Sequence, residues 1–256
     1  MALLVKFGYK GACFTGFQKG NGDNSVEDSI LTILRRYKIS EDIQSAARTD
    51  RNVSASGNVF MIRTEMQPEK ILKILNAHIS NIFFTGYSEV GDEFNPRHCR
   101  SKLYLYMLSN PISSFVSTIK KFEGKHDFSA FCRKDARSTI RSISSISCKQ
   151  EDNFLKVIIE GKSFVWEQIR SIIGFCNSPI MKDHFSDPFG NPPQRRIVAA
   201  PEPLMLADIV YDSLTFTGVS FPVKLKKLAD QINHHYISAK IDGEILRAFA
   251  GKTREL

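Results

Sequence analysis

Residues 47–55 read Ala-Arg-Thr-Asp-Arg-Asn-Val-Ser-Ala and place five polar or charged side chains in a row between apolar neighbours. Asp50 has Arg48 and Arg51 close to it in the chain. A nearby guanidinium favours the ionised form of a carboxylate, which can then act as a base or a nucleophile. A tight turn would use the same residue types, because Asp and Asn bond their own backbone and tolerate left-handed geometry. Residue types and spacing alone leave both interpretations open.

The size and composition are those of an ordinary globular protein. The 256 residues are enough for one large domain or two moderate ones with separate cores. No apolar run approaches the roughly 18 to 20 residues of a membrane-spanning helix, and the N-terminus lacks a secretory signal. We therefore expect a cytoplasmic protein with no membrane partner. Five scattered cysteines favour reduced thiols, and no Cys or carboxylate at ligand spacing surrounds His234 and His235, so we predict no bound metal.

The charge balance favours a polyanionic partner. Thirty-five Lys and Arg residues against 27 Asp and Glu residues leave a net charge of +8. The basic residues are grouped, and several groups fall near predicted loops or element ends. This distribution suits phosphate contacts along a folded RNA better than one recognition helix in a groove, and solvated faces are the alternative. The groups are Arg35 and Arg36, Lys120 and Lys121, Arg133 and Lys134, Arg137, Arg141, Arg195 and Arg196, and Lys224, Lys226 and Lys227.

Hydrophobic periodicity predicts mixed strands and helices in the first 109 residues. Ser25 is a candidate N-cap, because apolar residues recur behind it at helical spacing and Glu27 and Asp28 fill the first turn. Residues 102–108 alternate as a strand, with the two tyrosines on one face. Strands are predicted at 2–10, 58–64, 82–90 and 102–108, and helices at 26–38 and 68–78.

A similar pattern begins again after Asn110 and Pro111. It predicts a helix at 113–122, strands at 140–148 and 154–160, and a helix at 166–175. A proline-rich surface loop follows at 177–203, then a strand at 206–211 and a helix at 223–236. We therefore predict an α+β protein with two similar halves, 1–109 and 110–256, each with a mixed or antiparallel sheet covered by helices.

Four further stretches combine residues suited to RNA. Residues 7–18 interleave glycines, aromatic residues and Lys, as a base-stacking loop or a core beside a glycine loop would. Residues 94–106 carry two Arg and two Tyr residues that an ordinary half-buried strand could also carry. In residues 124–131 the His-Asp pair invites a catalytic dyad, yet no serine or cysteine of known nucleophile type accompanies it, which favours turn-forming hydrogen bonds. Residues 164–174 place Arg170 on a predicted helix, where an exposed helical Arg is the alternative.

Together these stretches resemble the TruA family of tRNA pseudouridine synthases. Residues 47–55 resemble its Gly-Arg-Thr-Asp-x-Gly-Val-x-Ala signature, with Ala47 and Asn52 in place of the two glycines. Asn enters positive φ most readily among residues with a side chain, so the turn can form, whereas Ala47 indicates a site that does not need this conformation. The remaining matches keep the family order from Phe7 to Tyr211, and only 174–200 matches poorly.

The resemblance implies a pseudouridine synthase fold, with two halves joined around a central catalytic cleft. It implies that Asp50 is the catalytic residue and that Tyr104 stacks on the uracil and exchanges a proton with it. Arg170 is then the partner that holds the carboxylate ionised, in a bidentate geometry that Lys could not reproduce. Substrate contacts are expected from Phe17, Gln18, Arg48, Thr49, Arg51, Arg97, Arg100, His126 and Phe128.

The implied reaction is the isomerisation of uridine to pseudouridine in the anticodon stem-loop of tRNA, at positions 38–40. The implied enzyme is a homodimer that uses no cofactor and no guide RNA. The aspartate could attack the sugar, stabilise oxocarbenium-like charge or remove a ribose proton. A non-catalytic tRNA-binding or RNA-folding protein of the same fold is the alternative. A deaminase is disfavoured, because the chain lacks the His-x-Glu and Pro-Cys-x-x-Cys zinc signature.

Overall fold

A computed structural model describes residues 1–20, 24–133 and 135–252. The chain divides into two compact units, Met1–Val219 and the segment from Ser220 onward. Lys134, one of the predicted basic groups, and residues 21–23 of the predicted glycine-rich loop lie outside the described residues. In the described part of the chain, no helix is long and apolar enough to cross a membrane.

The larger unit contains one mixed sheet and the helices that cover it. The strands are β1 (Ala2–Tyr9), β2 (Gln44–Ser45), β3 (Ser54–Arg63), β4 (Ile82–Val90), β5 (Ser101–Ser109), β6 (Gly124–Asp127), β7 (Ile140–Glu151), β8 (Phe154–Gly161), β9 (Leu204–Val210) and β10 (Thr217–Gly218). The helices are α1 (Val26–Arg36), α2 (Pro68–His78), α3 (Phe115–Ile119) and α4 (Gln168–Cys176), with 3₁₀ turns at Gly11–Cys13, Lys120–Phe122, Ser129–Phe131 and Pro179–His184. The smaller unit contains α5 (Pro222–Lys252).

One parallel pair is the join between two parts of the sheet, β10-β4-β1-β3 and β9-β5-β8-β7-β6. Each part includes one strand from the other predicted half, β10 in the first part and β5 in the second. The strand order of the sheet is β10-β4-β1-β3-β9-β5-β8-β7-β6, and β2 pairs with β3 near its C-terminal end. The parallel pair is β3 with β9, where Ser54 lies opposite Met205 and Ala55 opposite Leu206. Because this pair involves the first residues of β3, the turn that holds Asp50 lies directly beside the join. The predicted mixed sheet is confirmed, and the boundary near residue 109 stays a prediction.

Two hydrophobic cores support the sheet on either side of this join. The first packs α1 and α2 against β1, β3 and β4, around Phe7 and Phe60. The second packs α3 and α4 against β7 and β8, around Phe122 and Phe175. Each fully buried Phe contributes about 1.5–3 kcal/mol relative to an exposed one. Both cores therefore fix the elements that carry the predicted site residues.

Most predicted elements are confirmed, and the differences have local causes. Ser25 is the N-cap of α1, since its Oγ accepts a hydrogen bond from the backbone N of Asp28. Strand β3 begins four residues earlier than predicted, because small residues there allow β9 to approach: a Cβ on Gly57 would lie 2.6 Å from the Ala207 carbonyl oxygen. Helix α4 begins at Gln168 rather than 166, because Glu167 has a left-handed φ of 60°.

The remaining differences concern lengths and very short strands. The helix predicted at 113–122 is α3 followed by a 3₁₀ turn, β7 extends to Glu151, and α5 extends to Lys252. The extension of α5 follows from a run of residues without proline. Strands β2, β6 and β10 were not predicted, since segments of two to four residues give no measurable alternation. All five cysteines are free thiols, as predicted.

Candidate active site

A cleft of about 1050 Å³ opens beside the join of the sheet. The turn before β3, strand β5 and the start of α4 supply its walls. Most of the residues that the resemblance assigns to the site line this cleft. They are Gln18, Arg48, Thr49, Asp50, Arg51, Arg97, Tyr104 and Arg170.

Asp50 lies in a turn that presents its carboxylate to the cleft. The backbone N of Val53 donates to the carbonyl oxygen of Asp50 at 3.2 Å, which closes the turn. Asn52 has a φ of 67°, whereas Ala47 is not among the residues with positive φ, and both of these sequence predictions are confirmed. The backbone of Asp50 therefore forms the turn, while its side-chain carboxylate remains available to contact other residues of the cleft.

Arg170 is the charged partner of Asp50, as the sequence predicts. Its Nη1 donates to Oδ2 of Asp50 at 2.8 Å, and the two side chains are 14% and 26% exposed. Its Nε donates to the carbonyl oxygen of Ala199 at 2.9 Å. Since Nε is engaged there, the guanidinium contacts one carboxylate oxygen, and the expected bidentate geometry is not the one observed. A single partly buried ion pair still places a positive charge beside the carboxylate.

The second oxygen of the carboxylate is held by a residue that the sequence reasoning did not assign. Nε1 of Trp166 donates to Oδ1 of Asp50 at 3.0 Å. Trp166 stands four residues before Arg170, a spacing that would place both on one face of the helix predicted from residue 166. That spacing, together with its being the chain's single tryptophan, was the signal available in the sequence.

Arg170 also belongs to a longer row of alternating charges. Its Nη1 lies 3.7 Å from Oε1 of Glu167, whose Oε2 lies 2.8 Å from Nη2 of Arg196. The side chain of Glu167 is only 17% exposed, and its carboxylate forms an ion pair with Arg170 and another with Arg196. The row Asp50, Arg170, Glu167 and Arg196 restrains the guanidinium from both ends, which limits the positions that the Asp50 carboxylate can adopt.

Tyr104 lines the cleft near Asp50 with its hydroxyl protonated. Its ring meets that of Phe164 edge-on, with centroids 5.2 Å apart. Burial, with smaller effects of Tyr9 and Asp50, raises the pKa of Tyr104 above its ordinary value of 10.0. The hydroxyl can therefore donate a hydrogen bond to a base at neutral pH. Tyr9 supports the same turn, since its hydroxyl lies 2.7 Å from Oγ1 of Thr49.

Several cations also line the cleft. Arg48 and Arg51 are exposed on the Asp50 turn. Arg97 donates from Nε to the Ser45 carbonyl oxygen at 3.4 Å, which leaves its terminal nitrogens for other contacts. Lys102 donates from Nζ to the Ala46 carbonyl oxygen at 2.7 Å, and burial lowers the pKa of Lys102. Such a wall attracts phosphate groups.

Four of the predicted substrate contacts lie elsewhere in the described structure. Phe17 and Phe128 are fully buried, the first against Phe7 and Tyr9 and the second in the other core. His126 stacks on Phe189 with ring centroids 4.0 Å apart, and Arg100 lies 3.9 Å from Asp212. The rings of Phe17 and Phe128 thus pack the cores, because each is surrounded by other aromatic side chains. Contact of these four residues with substrate stays a prediction.

The His-Asp pair at 126 and 127 forms local hydrogen bonds. Nε2 of His126 lies 2.8 Å from the Glu123 carbonyl oxygen. Oδ1 of Asp127 accepts from the backbone N of Ser129 at 2.9 Å, as the predicted turn requires. Among residues 1–20, 24–133 and 135–252, no three His, Cys, Asp or Glu side chains come together as a metal site would need.

A family model described as tRNA pseudouridine synthase matches residues 118–212, which include Arg170 and the whole of β9. The part of the chain that supplies Arg170 to the cleft is thus similar to pseudouridine synthases. Curated proteins that are similar over most of the chain identify the family more narrowly. A tRNA pseudouridine synthase A of Picrophilus torridus is 46% identical over 222 residues, which are 86% of this chain and 86% of that protein.

A tRNA pseudouridine synthase A of Thermoplasma acidophilum is 40% identical over 239 residues, 92% of this chain and 94% of its own length. The chain therefore belongs to the tRNA pseudouridine synthase A family. Among solved structures, a chain of a Cbf5–Nop10–Gar1 complex aligns over 68% of this chain and 43% of its own length, at 14% identity and a TM-score of 0.36. That likeness is too low to support an argument.

Proposed function

We propose that this protein isomerises uridine to pseudouridine in tRNA, with Asp50 as the catalytic residue. The observation that carries the proposal is the 2.8 Å contact between Asp50 and Arg170, which are 120 residues apart in the chain and meet in a basic cleft. Family membership supports the same reaction, since relatives over most of the chain are named tRNA pseudouridine synthase A. The enzyme is thus an isomerase.

The reaction needs an ionised carboxylate beside the ribose. The bond between C1′ and N1 of uracil breaks, the base turns, and a bond forms between C1′ and C5. The C5 proton leaves and N1 gains a proton, so no water and no nucleotide cofactor is consumed. Asp50 can attack the sugar, stabilise oxocarbenium-like charge or remove a ribose proton, and its contact with Arg170 holds the carboxylate in the cleft for each route.

The cleft residues have complementary roles in binding the substrate. The target base leaves its stack at a cost of a few kcal/mol, and the exposed Arg48 fills the gap that it leaves. Tyr104 stacks on the uracil and donates a hydrogen bond to it. Arg51, Arg97 and Lys102 contact phosphates, and Gln18 and Thr49 complete the wall beside the base.

The substrate position and the assembly follow from the family resemblance. The targets are uridines at positions 38–40 in the anticodon stem-loop, and a cytoplasmic homodimer holds one tRNA without a guide RNA. Mapping of pseudouridine in tRNA treated with the pure protein tests the position. Light scattering tests the assembly, for which a monomeric mass with tRNA bound would contradict the homodimer.

The first test measures tritium release from tRNA labelled at uridine C5. We expect Asp50→Ala and Asp50→Asn to lower the rate by about a thousandfold or more, because each removes the catalytic charge. Binding of tRNA should change little, since the basic wall of the cleft is kept. The non-catalytic alternative predicts no release by the wild type and no effect of either substitution.

Asp42→Asn provides the matched control, because it removes the same charge from an exposed Asp that does not line the cleft. Its rate should equal that of the wild type. Release that is equally low in the Asp42 and Asp50 variants would show that general loss of negative charge, and not the site, lowers the rate.

A further inference from the structure

Trp166 is the chain's single tryptophan, and it lies at the cleft with its polar edge on the Asp50 carboxylate. Nε1 donates to Oδ1 of Asp50 at 3.0 Å while the residue remains 41% exposed. A large aromatic ring in this position leaves much apolar surface in contact with water. Core packing therefore does not explain where the ring lies.

Two restraints fix the direction of the indole N–H. The guanidinium of Arg133 lies 4.1 Å from the centroid of the ring, at the distance of a cation–π contact. The backbone N of Arg133 also donates to the carbonyl oxygen of Trp166 at 2.8 Å. Glu167, the next residue, has a left-handed φ of 60°, a conformation that costs free energy and that the surrounding structure must hold in place.

The carboxylate thus has one donor on each oxygen. Arg170 donates to Oδ2 and Trp166 donates to Oδ1. One donor alone would allow the carboxylate to rotate about its Cβ–Cγ bond, whereas two donors on different oxygens fix its plane. The indole N–H is neutral and donates at every working pH. It therefore orients the carboxylate without cancelling the negative charge that must face the ribose.

We propose that Trp166 is a positioning residue for the isomerisation, which holds the Asp50 carboxylate in its reactive orientation through the indole N–H. The inference rests on the proposed function and adds a residue to the same site. Because Trp166 acts through Asp50, its removal should slow the chemical step and leave tRNA binding intact. A ring that instead stacks on the substrate would mainly change binding.

The test compares Trp166→Phe with the benzothiophene analogue of tryptophan, which keeps the ring shape and replaces the N–H with sulfur. The chain's single tryptophan allows the analogue to be placed at this site alone. Single-turnover tritium release at saturating tRNA should fall about tenfold or more in both proteins, because a hydrogen bond to a charged group is lost. The Kd for tRNA should stay within about twofold of the wild type. Trp166→His, which keeps a ring donor, should recover part of the rate.

Tyr87→Phe is the matched control. It removes a hydrogen bond between an aromatic side chain and a carboxylate, that of Glu69, outside the residues that line the cleft. Its single-turnover rate should equal that of the wild type. An unchanged rate in the benzothiophene protein would overturn the proposal, and so would a loss that lies wholly in Kd, which would assign the ring to substrate stacking.

A second measurement tests the contact without using activity. Asp50→Asn should shift the fluorescence emission of Trp166, because the charged acceptor of its N–H is replaced, whereas Asp42→Asn should not. An unchanged spectrum in Asp50→Asn would overturn the inference. If Asp50→Asn shifts the emission but the wild type releases no tritium from tRNA, the contact is supported and the proposed function is contradicted.

Discussion

At the residue scale, Asn52 shows how a side chain can occupy a place suited to glycine. Its φ of 67° lies in the left-handed region, which costs most residues with a Cβ about 1–2 kcal/mol. Its side-chain Nδ2 donates to Oε1 of Glu202 at 2.7 Å, a contact that glycine cannot make. The bond ties the Asp50 turn to the segment that leads into β9, and so offsets part of the backbone cost.

Substitutions at Asn52 should separate these two contributions. Asn52→Gly removes the hydrogen bond and the backbone strain together, so the free energy of unfolding should change by less than about 0.5 kcal/mol. Asn52→Ala keeps the strained φ and loses the bond, so it should destabilise by about 1–2 kcal/mol. Urea denaturation measures both values. Equal effects of Ala and Gly would show that the left-handed φ contributes nothing here.

Trp166 and Phe17 show why the site was only partly predictable from residue types. A motif identifies which residues occur together in the chain, whereas exposure depends on what packs around each ring. Phe17 follows a glycine in a matched motif and is nevertheless fully buried. Trp166 lies in a matched helix motif without being a motif residue, and it contacts the carboxylate. Neither outcome follows from spacing, because both depend on partners that are distant in sequence.

At the element scale, the 3₁₀ turn Gly11–Cys13 packs directly on the Asp50 turn. The backbone N of Gly11 donates to Oγ of Ser54 at 3.0 Å. A Cβ on Gly11 would lie 2.4 Å from the carbonyl carbon and oxygen of Val53. The glycine is therefore required for close approach of the two backbones, and the predicted glycine-rich loop packs against the turn that carries Asp50.

Gly11→Ala should displace the turn that carries Asp50. The added methyl group should destabilise the protein by about 1–3 kcal/mol, as overpacking does, and lower the rate of tritium release by about tenfold or more. Gly91→Ala is the control, because no atom lies within 4 Å of its added Cβ. Denaturation and single-turnover assays measure the two effects. A Gly11 variant that matches the Gly91 variant in both would contradict this role.

The start of α4 illustrates the limit of periodicity for elements. The apolar spacing predicts a helix from residue 166, yet the left-handed Glu167 delays it to Gln168. Hydrophobic periodicity indicates which face of a helix is buried. It contains no information on the backbone conformation of a single residue such as Glu167, which ion pairs with Arg170 and Arg196 hold in place. The observed start directs the side chains of Trp166 and Arg170 to the same carboxylate.

At the scale of the whole molecule, one buried and two half-buried tyrosines link stability to alkaline pH. Burial raises the pKa of Tyr9, Tyr104 and Tyr211 above the ordinary value of 10.0. The folded state then keeps phenolic protons that the unfolded chain releases. The stability associated with each tyrosine is complete below about pH 10 and decreases as pH rises above that value.

Tyr9→Phe should reduce this alkaline loss. The free energy of unfolding of the wild type should fall above about pH 10, and each buried tyrosine should contribute up to about 1.4 kcal/mol per pH unit. The slope should be smaller in Tyr9→Phe, even though loss of the bond to Thr49 lowers its stability at neutral pH. Tyr236→Phe, at an exposed position on α5, should keep the wild-type slope. Equal slopes in all three proteins would contradict the link.

The sequence by itself determined the family, most elements and the candidate aspartate with its arginine partner, because these depend on local periodicity and on motifs that keep their order. Only the tertiary structure decided that Trp166 holds the second oxygen of Asp50 and that Phe17 and Phe128 pack the cores. It also decided the parallel join of β3 and β9. These features depend on contacts between residues that are far apart in the chain, and the packing of two separate cores brings them together.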